Sequence, residues 1–210
     1  MAARSVPPAP RTAAIACGAL AREVLALKRL NGWSHLDLHC LPALLHNTPA
    51  RIPEAVRAKI HELRADYDHI VVVYGDCGTS GELDAILAEE GVERIAGPHC
   101  YAFFAGQSGF ESLQEEEPGT FYLTDFLARH FETMVVRSLG LDRHPDLAGL
   151  YFGNYSRLVY LAQSDDPSLL AAAREAALRL GLEFVHKSTG YGELAPFLDT
   201  AVSGAIRRVA

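Results

Sequence analysis

Short apolar runs bounded by turn residues alternate along the chain with segments of helical periodicity. This alternation is typical of βαβ units. It predicts a doubly wound, Rossmann-like or flavodoxin-like α/β fold with a mostly parallel open sheet of about seven strands. The strands are expected near Thr12 to Ala16, His35 to Leu38, His69 to Tyr74, Val92 to Ile95, Phe121 to Leu123, Leu158 to Ala162 and Glu183 to His186.

The N-terminal residues 1–11 are rich in Ala, Pro and Arg, and they are expected to form a disordered lead-in. The remainder, residues 12–210, is expected to form a single α/β domain. Its first half, 12–100, carries all four cysteines, and its second half, 101–210, continues the alternation more loosely. Two similar halves are one arrangement that this pattern allows.

Composition narrows the function classes. The formal net charge is −7 and the chain has no basic run, which argues against nucleic-acid binding because that affinity depends on Lys and Arg. The longest apolar runs have the length of strands, so no membrane association is expected, and we expect a cytoplasmic protein. In that compartment, cysteines serve as ligands, nucleophiles or core residues more often than as disulfides. Self-association stays open.

The four cysteines occupy equivalent places in the predicted fold. Cys17, Cys40, Cys77 and Cys100 each follow one of the first four strands, and none is expected in a helix. Ligands of an open parallel sheet bind outside the carboxyl ends of its strands. We therefore predict a shared metal site there, with four thiolates holding an iron–sulfur cluster or zinc. Because the sequence has no CxxC pair, burial of these thiols in the core stays open as the alternative.

Three histidines are secondary candidates for the same metal. His39 and His99 each precede a cysteine, and His46 ends the loop after Cys40. Adjacent side chains in an extended segment point to opposite faces, so a histidine and its neighbouring cysteine are not expected to bind one ion together.

A glycine-rich turn follows the third strand and leads into a helix. Its residues Gly75, Gly78, Thr79 and Ser80 are predicted to contact a cofactor, since such turns aim backbone N–H groups at an anion or a sulfide. Cys77 lies in this turn. A place at a helix N-terminus would lower its pKa, which makes it the candidate catalytic residue. A tight turn that needs glycine for conformational reasons is the alternative.

Aromatic residues offer a second mode of binding. Tyr101, Phe103 and Phe104 follow Cys100 and could pack on a flat ligand such as a corrin, a pterin or a porphyrin, although core packing is the favoured explanation of these residues. Tyr191 lies after the last strand and is a further candidate for cofactor contact. A helix is expected from about Asp125 to Leu139. Asp125, and either Asp165 or Asp166, are expected to cap helices.

Several separated motifs resemble the bacterial and archaeal family called domain of unknown function 1638. They are Ile15 to Leu20, Leu38 to Asn47, Tyr74 to Gly78, Gly97 to Tyr101 and Thr189 to Tyr191. The resemblance covers about Thr12 to Leu198 and includes the positions of all four cysteines. Members tend to be encoded beside corrinoid-dependent methyltransferases of methylated amines, so the resemblance implies a role near methyl transfer. It supplies no catalytic residue.

Three function hypotheses follow. The first is a cysteine-ligated metal protein, with an iron–sulfur cluster or zinc, that serves corrinoid-linked one-carbon and methylamine metabolism. The second is a methyltransferase that uses zinc or the Cys77 thiolate, and the third is a metal-free accessory module that binds a corrinoid or a folate. A corrinoid protein or a methyltransferase is the expected partner. Whether the chain is an enzyme stays open.

Overall fold

The computed structural model describes residues 10–209, with side chains as far as Gly204. Within this range the chain forms seven strands, and every pair of neighbouring strands is parallel, which confirms the predicted α/β class. The strands are β1 (Thr12–Cys17), β2 (Leu36–Leu41), β3 (His69–Val73), β4 (Glu93–Arg94), β5 (Thr120–Leu123), β6 (Arg157–Ala162) and β7 (Glu183–Ser188).

Helices connect these strands. None of them, among the described residues, is both long and apolar enough to cross a membrane. The α-helices are α1 (Ala21–Asn31), α2 (Ile52–Leu63), α3 (Glu82–Glu90), α4 (Cys100–Ala105), α5 (Gln107–Glu116), α6 (Asp125–Arg129), α7 (Leu147–Phe152), α8 (Pro167–Leu180) and α9 (Leu194–Val209). A π-helical segment, Glu132–Arg137, follows α6.

The strands are divided between two sheets, and the chain divides into two compact units. Among the described residues, the first unit contains 10–98 together with 194–209, and the second contains His99–Glu193. The boundary therefore falls close to the predicted division into halves. The last helix, however, belongs to the first unit.

In the first unit, the sheet has the order β2-β1-β3-β4. The chain leaves β1 toward β2 and leaves β3 in the opposite direction, toward β4. Right-handed crossovers then place α1 on one face of the sheet and both α2 and α3 on the other. The α2/α3 face is packed by a cluster that includes Ile15, Val56, Ile60, Val72 and Leu83, all fully buried.

In the second unit, the sheet has the order β5-β6-β7. One face packs against α6, the π-helical segment and α8, with Leu123, Leu158 and Tyr160 contributed by the strands. The other face packs against α4 and α5 through Tyr122 and Leu161. Alternate residues of the strands thus enter two different cores, as the side-chain period of two requires.

Several predicted elements differ in their bounds from those observed. The second strand extends to Leu41, three residues beyond its expected end. The helix expected from Asp125 to Leu139 ends at Arg129, and the chain continues as the π-helical segment. The predicted lead-in lies outside the described residues except for Pro10 and Arg11, and Arg11 donates hydrogen bonds to Asp68 (N–Oδ2, 2.8 Å) and to Asp37 (Nη2–Oδ2, 3.0 Å).

Asp125 does not cap a helix, contrary to the prediction. Thr124 is the N-cap of α6, and the buried Asp125 carboxylate connects β5 to β6 instead. It accepts hydrogen bonds from the hydroxyls of Tyr160 (2.7 Å) and Ser164 (2.5 Å) and from the backbone N–H of Gln163 (3.0 Å). Of the two residues predicted to cap the later helix, Asp166 is the N-cap of α8, since its carboxylate accepts from the Ser168 N–H at 2.9 Å.

Asp125→Ala is expected to lower the free energy of unfolding by about 3 kcal/mol, because three donors lose their acceptor in a buried site. Asp165→Ala changes an exposed neighbour and should stay within about 0.5 kcal/mol of the wild type. Urea denaturation of the three proteins compares them. Equal stability of the two variants would show that the Asp125 network does not stabilise the fold.

Candidate functional site

The first unit contains a topological switch point. The loops after β1 and β3 leave the sheet in opposite directions, which opens a crevice at the carboxyl ends of these adjacent strands. Ligands of open α/β sheets bind in such a crevice. Cys17 is the last residue of β1, and Cys77 lies in the turn after β3.

Cys17 and Cys77 lie on the same face of the sheet. Both pack against the core cluster between the sheet and α2/α3, and both are partly buried. Tyr74, which directly follows β3, belongs to that cluster and is only 2% exposed. Its hydroxyl lies against the Cys17 thiol but forms no hydrogen bond of good geometry with any described residue. The two thiols and this phenol form what we call the thiol site.

Burial governs the ionisation of the thiol site. It raises the pKa of Cys77 to about 12, and the charge of Cys17 adds to the shift. Burial also raises the pKa of Cys17. The pKa of Tyr74 is raised by burial and by the charges of Cys17, Cys77 and Cys40. The backbone N–H of Ala19 faces the Cys17 thiol, and that of Gly75 faces the Cys77 thiol. Each N–H group lowers the pKa of the thiol that it faces, but burial raises that pKa by more.

The predicted low pKa of Cys77 is therefore wrong. Helix α3 begins at Glu82, five residues after Cys77, so the helix terminus does not act on this thiol. Desolvation of the thiolate dominates instead. Both thiols are protonated at neutral pH.

The other two cysteines are placed differently. Cys40 lies within β2 and pairs in register with Ala16, whereas Cys17 pairs with Leu41. Since register partners share a face, the exposed Cys40 and the partly buried Cys17 project to opposite faces of the sheet. Desolvation raises the pKa of Cys40, and the charge of Cys17 adds to this shift. The two thiols therefore still lie near one another.

Cys100 belongs to the second unit, where it is the first residue of α4, contrary to the prediction that no cysteine lies in a helix. Within the part of the chain that the structure describes, no three His, Cys, Asp or Glu side chains are grouped so that they could hold a metal ion. The thiol site thus brings together two of the four predicted ligands.

The backbone N–H groups of the glycine-rich turn donate hydrogen bonds to a side chain of the turn itself. The Asp76 carboxylate accepts hydrogen bonds from the backbone N–H groups of Gly78 (3.3 Å), Ser80 (3.2 Å) and Gly81 (2.8 Å), and from the Thr79 hydroxyl (2.7 Å). These bonds hold the pKa of Asp76 below its usual value. Of the N–H groups predicted to bind an external anion or sulfide, those of Gly78 and Ser80 therefore bind an internal carboxylate, and that of Thr79 donates to the Asp76 backbone carbonyl at 3.0 Å. The Gly75 N–H faces the Cys77 thiol.

This closed turn places Cys77 in a left-handed backbone conformation. Its φ is +50°, a region that residues other than glycine rarely adopt. The Cys77 N–H donates to the Pro98 carbonyl at 2.7 Å, and the Asp76 N–H donates to that of Gly97 at 3.1 Å. The Arg94 guanidinium also donates to the carbonyl of Gly97 (3.2 Å) and pairs with Asp84 (Nη2–Oδ2, 2.7 Å). The surrounding loop and α3 thus hold a strained residue in place.

The predicted secondary ligands have other neighbours. The Nε2 atom of His39 lies 3.0 Å from the Tyr67 hydroxyl. Since that hydroxyl donates to Asp37, the ring nitrogen of His39 is the donor to it. His46 is exposed in a 3₁₀-helical segment after β2. The His99 ring packs in the second unit against Phe110, at 5.1 Å between ring centroids.

The predicted aromatic platform does not form. Phe103 and Phe104 are buried, at 0% and 3% exposure, so the two rings do not form an exposed surface for a flat ligand. Tyr101 is half-buried and stacks on Tyr122 at 5.4 Å. Tyr191 is half-buried in the loop after β7.

The sequence reasoning missed Tyr74 and Asp76 as parts of the site. A signal existed for both. Tyr74 ends an apolar run at the position where a strand meets its loop. Asp76 precedes the segment Cys-Gly-Thr-Ser-Gly, a turn composition in which an Asp side chain commonly accepts hydrogen bonds from the backbone that follows it.

These features define a parallel α/β protein with a flavodoxin-like strand order in its first unit and a thiol site at the switch point. The family model described as "Protein of unknown function (DUF1638)" matches residues 40–198, and the chain belongs to this family, as the motifs predicted. The matched region contains Cys40, Cys77 and Cys100, and Cys17 precedes it. No curated protein matches the sequence significantly.

Cys77→Gly is expected to be more stable than Cys77→Ala by about 1 kcal/mol. Both variants lack the thiol, but only alanine retains the strain of a left-handed residue. The matched control is the same pair at Cys17, where φ is −59° and the alanine variant should be the more stable. Chemical denaturation of the four variants measures both differences. The same order at both positions would contradict a strained Cys77.

Proposed function

We propose that the thiol site binds a thiophilic metal, zinc or an iron centre, through Cys17 and Cys77, and that this centre is the working site of the protein. The observation that carries the proposal is the meeting of two partly buried thiols, one at the end of β1 and one in the turn after β3, at the switch point around the Tyr74 hydroxyl. This is the place where the fold class binds its ligands.

The charge balance of the site supports a cation there. Two thiolates in a partly buried site repel one another, and the positive charge of Arg94, which lowers the pKa of Cys77, has a smaller effect than burial. A metal ion reverses this balance because it displaces the thiol protons and stabilises both thiolates. The N–H groups of Ala19 and Gly75 would then face metal-bound sulfur.

A centre with two protein thiolates has coordination positions for other groups. Zinc that acts in catalysis keeps a position for its substrate, so this arrangement suits a methyltransferase in which the metal holds an acceptor thiolate. The four-cysteine cluster, with ligands from Cys40 and Cys100, stays a prediction. So does a role in corrinoid-linked one-carbon metabolism beside a corrinoid or a folate, which rests on the resemblance described above.

A second candidate function is methyl transfer to Cys77 without a metal. The observation that favours it is the left-handed backbone, which holds this cysteine at a position where glycine would be less strained. In this reaction the thiol releases its proton to solvent and its sulfur attacks the methyl carbon. A carbon–sulfur bond forms, and the bond from methyl to its donor, a methylated corrinoid, breaks with the electron pair remaining on the donor.

The proposed metal site predicts the metal content of the purified protein. Protein purified without oxygen should contain about one zinc or iron centre per chain, and Cys17→Ser and Cys77→Ser should each lower this content at least about tenfold, because a chelate loses one of its two protein ligands. Cys40→Ser and Cys100→Ser are the controls and should retain the metal. Elemental analysis with a sulfide assay and an absorption spectrum provides the measurement.

Loss of metal in all four variants would support the four-cysteine cluster instead. Wild-type protein free of metal, even when purified without oxygen, would overturn the metal proposal and leave methyl transfer to Cys77 as the remaining candidate.

The second prediction concerns pH. In metal-free protein, the rate of Cys77 alkylation by iodoacetamide should rise about tenfold per pH unit above pH 8 and level off only near pH 12, since the thiolate reacts and the pKa is about 12. Unfolded protein should level off near pH 9. Mass spectrometry of the Cys77 peptide measures the rates. A plateau at or below pH 9 in folded protein would disprove the raised pKa.

A further inference from the structure

The second unit has a cavity of its own, with a volume of about 440 Å³. It lies outside the carboxyl ends of β6 and β7, between the sheet and the segment that joins α4 to α5. All of its lining residues fall within 104–193, so the second unit alone forms it. The volume is within the range of sites that bind small organic molecules.

The floor of the cavity is apolar. Phe104, Leu113 and Leu161 line it and are themselves buried, at 3%, 4% and 0% exposure. They come from α4, α5 and β6, three elements that pack together in one core. A ligand with a hydrocarbon body would cover this floor and remove its surface from water.

A cation lies on one side of the floor. Lys187 of β7 pairs in register with Leu161, so both side chains leave the sheet on the face that α4 and α5 cover. Lys187 is exposed, and it forms no ion pair with any residue that the structure describes. Its charge is available to an anionic group of a ligand.

An anion lies on another side and is held in place. The Glu193 carboxylate accepts a hydrogen bond from the Gln107 N–H through Oε1, at 2.9 Å, at the start of α5. The backbone N–H of Glu193 donates to the Phe103 carbonyl at 2.7 Å. Gly192 permits this close approach, because its φ is +47° and a Cβ there would lie 2.2 Å from the Phe103 oxygen. One carboxylate oxygen thus fixes the side chain, and Oε2 can face a ligand.

The presence of glycine at position 109 is not explained by packing within the protein. Gly109 lies in the first turn of α5 and lines the cavity, and a Cβ there would meet no described atom within 4 Å outside the adjoining helix backbone. Alanine is more favourable than glycine inside a helix, and here it would fit. What distinguishes Gly109 is its place in the cavity lining, where a missing side chain lets a ligand approach the backbone closely.

We propose that this cavity binds a small apolar α-amino acid, with its carboxylate on Lys187, its ammonium group on Glu193 and its hydrocarbon side chain on Phe104, Leu113 and Leu161. Opposite charges beside one apolar floor select a zwitterion. A simple carboxylic acid would meet the charge of Glu193, and a simple amine would meet that of Lys187, so each is disfavoured by one like charge.

Titration calorimetry of the full chain tests the ligand class. The probes are L-leucine, L-valine and L-phenylalanine, together with 4-methylpentanoate and 3-methylbutylamine, which each keep one charged group of leucine. At least one amino acid should bind, and the two single-charge compounds should bind at least about tenfold more weakly than leucine. Absence of binding by all three amino acids would overturn the proposal, and so would equal binding of a single-charge compound.

Variants then locate the site. Lys187→Gln and Glu193→Gln should each weaken amino acid binding about tenfold. In the second variant the new side-chain amide oxygen can still accept from the Gln107 N–H, so this change removes the charge and retains the helix cap. Unchanged affinity in both variants would place the binding site elsewhere and overturn the assignment to this cavity.

Gly109→Ala separates binding from folding. It should raise Tm by about 2–4 °C, because it favours α5, and yet reduce amino acid binding at least about tenfold, because it narrows the cavity. The matched control is Gly149→Ala, at a helical glycine of α7 that also has open space and does not line the cavity. It should raise Tm alone. Binding that survives Gly109→Ala would contradict the proposal.

Discussion

The Asp76 carboxylate determines the conformation of the candidate site. It accepts three backbone N–H groups and one hydroxyl from the four residues Gly78 to Gly81, which closes the turn after β3. A closed turn sets the backbone of Cys77, and the Pro98 carbonyl then holds the Cys77 N–H. The thiol consequently faces the core beside Cys17, and not solvent or the terminus of α3. A charged hydrogen bond acceptor in the turn therefore positions the thiol without touching it.

Desolvation controls the chemistry that this position allows. A thiol beside a helix terminus or a cation is a ready thiolate, but Cys17 and Cys77 are partly buried beside a phenol and beside one another, so their protonated forms are favoured. Such a pair is inert until a cation compensates the negative charge or a base removes a proton. This requirement is the physical basis for proposing a metal at the thiol site, and it explains why Cys77 alone would be a slow acceptor at neutral pH.

The two compact units use their sheet edges differently. In the first, the order β2-β1-β3-β4 creates a switch point, and the crevice there contains thiols. In the second, the order β5-β6-β7 has no reversal within the described strands, and the cavity arises instead where α4 and α5 leave the edge strand β7 partly uncovered. The residues available in each unit reflect this difference, since one site has sulfur donors in a buried crevice and the other has exposed charges around an apolar floor.

The sequence by itself determined the secondary structure and the class of fold. Buried β-branched runs such as His69 to Tyr74, and helices bounded by glycine such as α3 and α8, depend on neighbours in the chain, so local patterns identify them. Family membership also follows from the order of residues alone. The sequence likewise assigns the four cysteines to the first half of the chain, near the ends of successive strands, but it does not contain the information on whether they converge.

Only the tertiary structure decided which cysteines meet. Strand β2 extends to Leu41, and this small change in length puts Cys40 inside a strand, in register with Ala16 and on the face opposite to Cys17. Cys100 belongs to the second unit, whereas the thiol site lies in the first. Helix α9, although last in the chain, also belongs to the first unit. The pKa of Cys77 was likewise beyond the sequence, because it depends on burial against residues distant in the chain. Strand register, sheet order and burial are set by long-range packing, and no local pattern of residues contains that information.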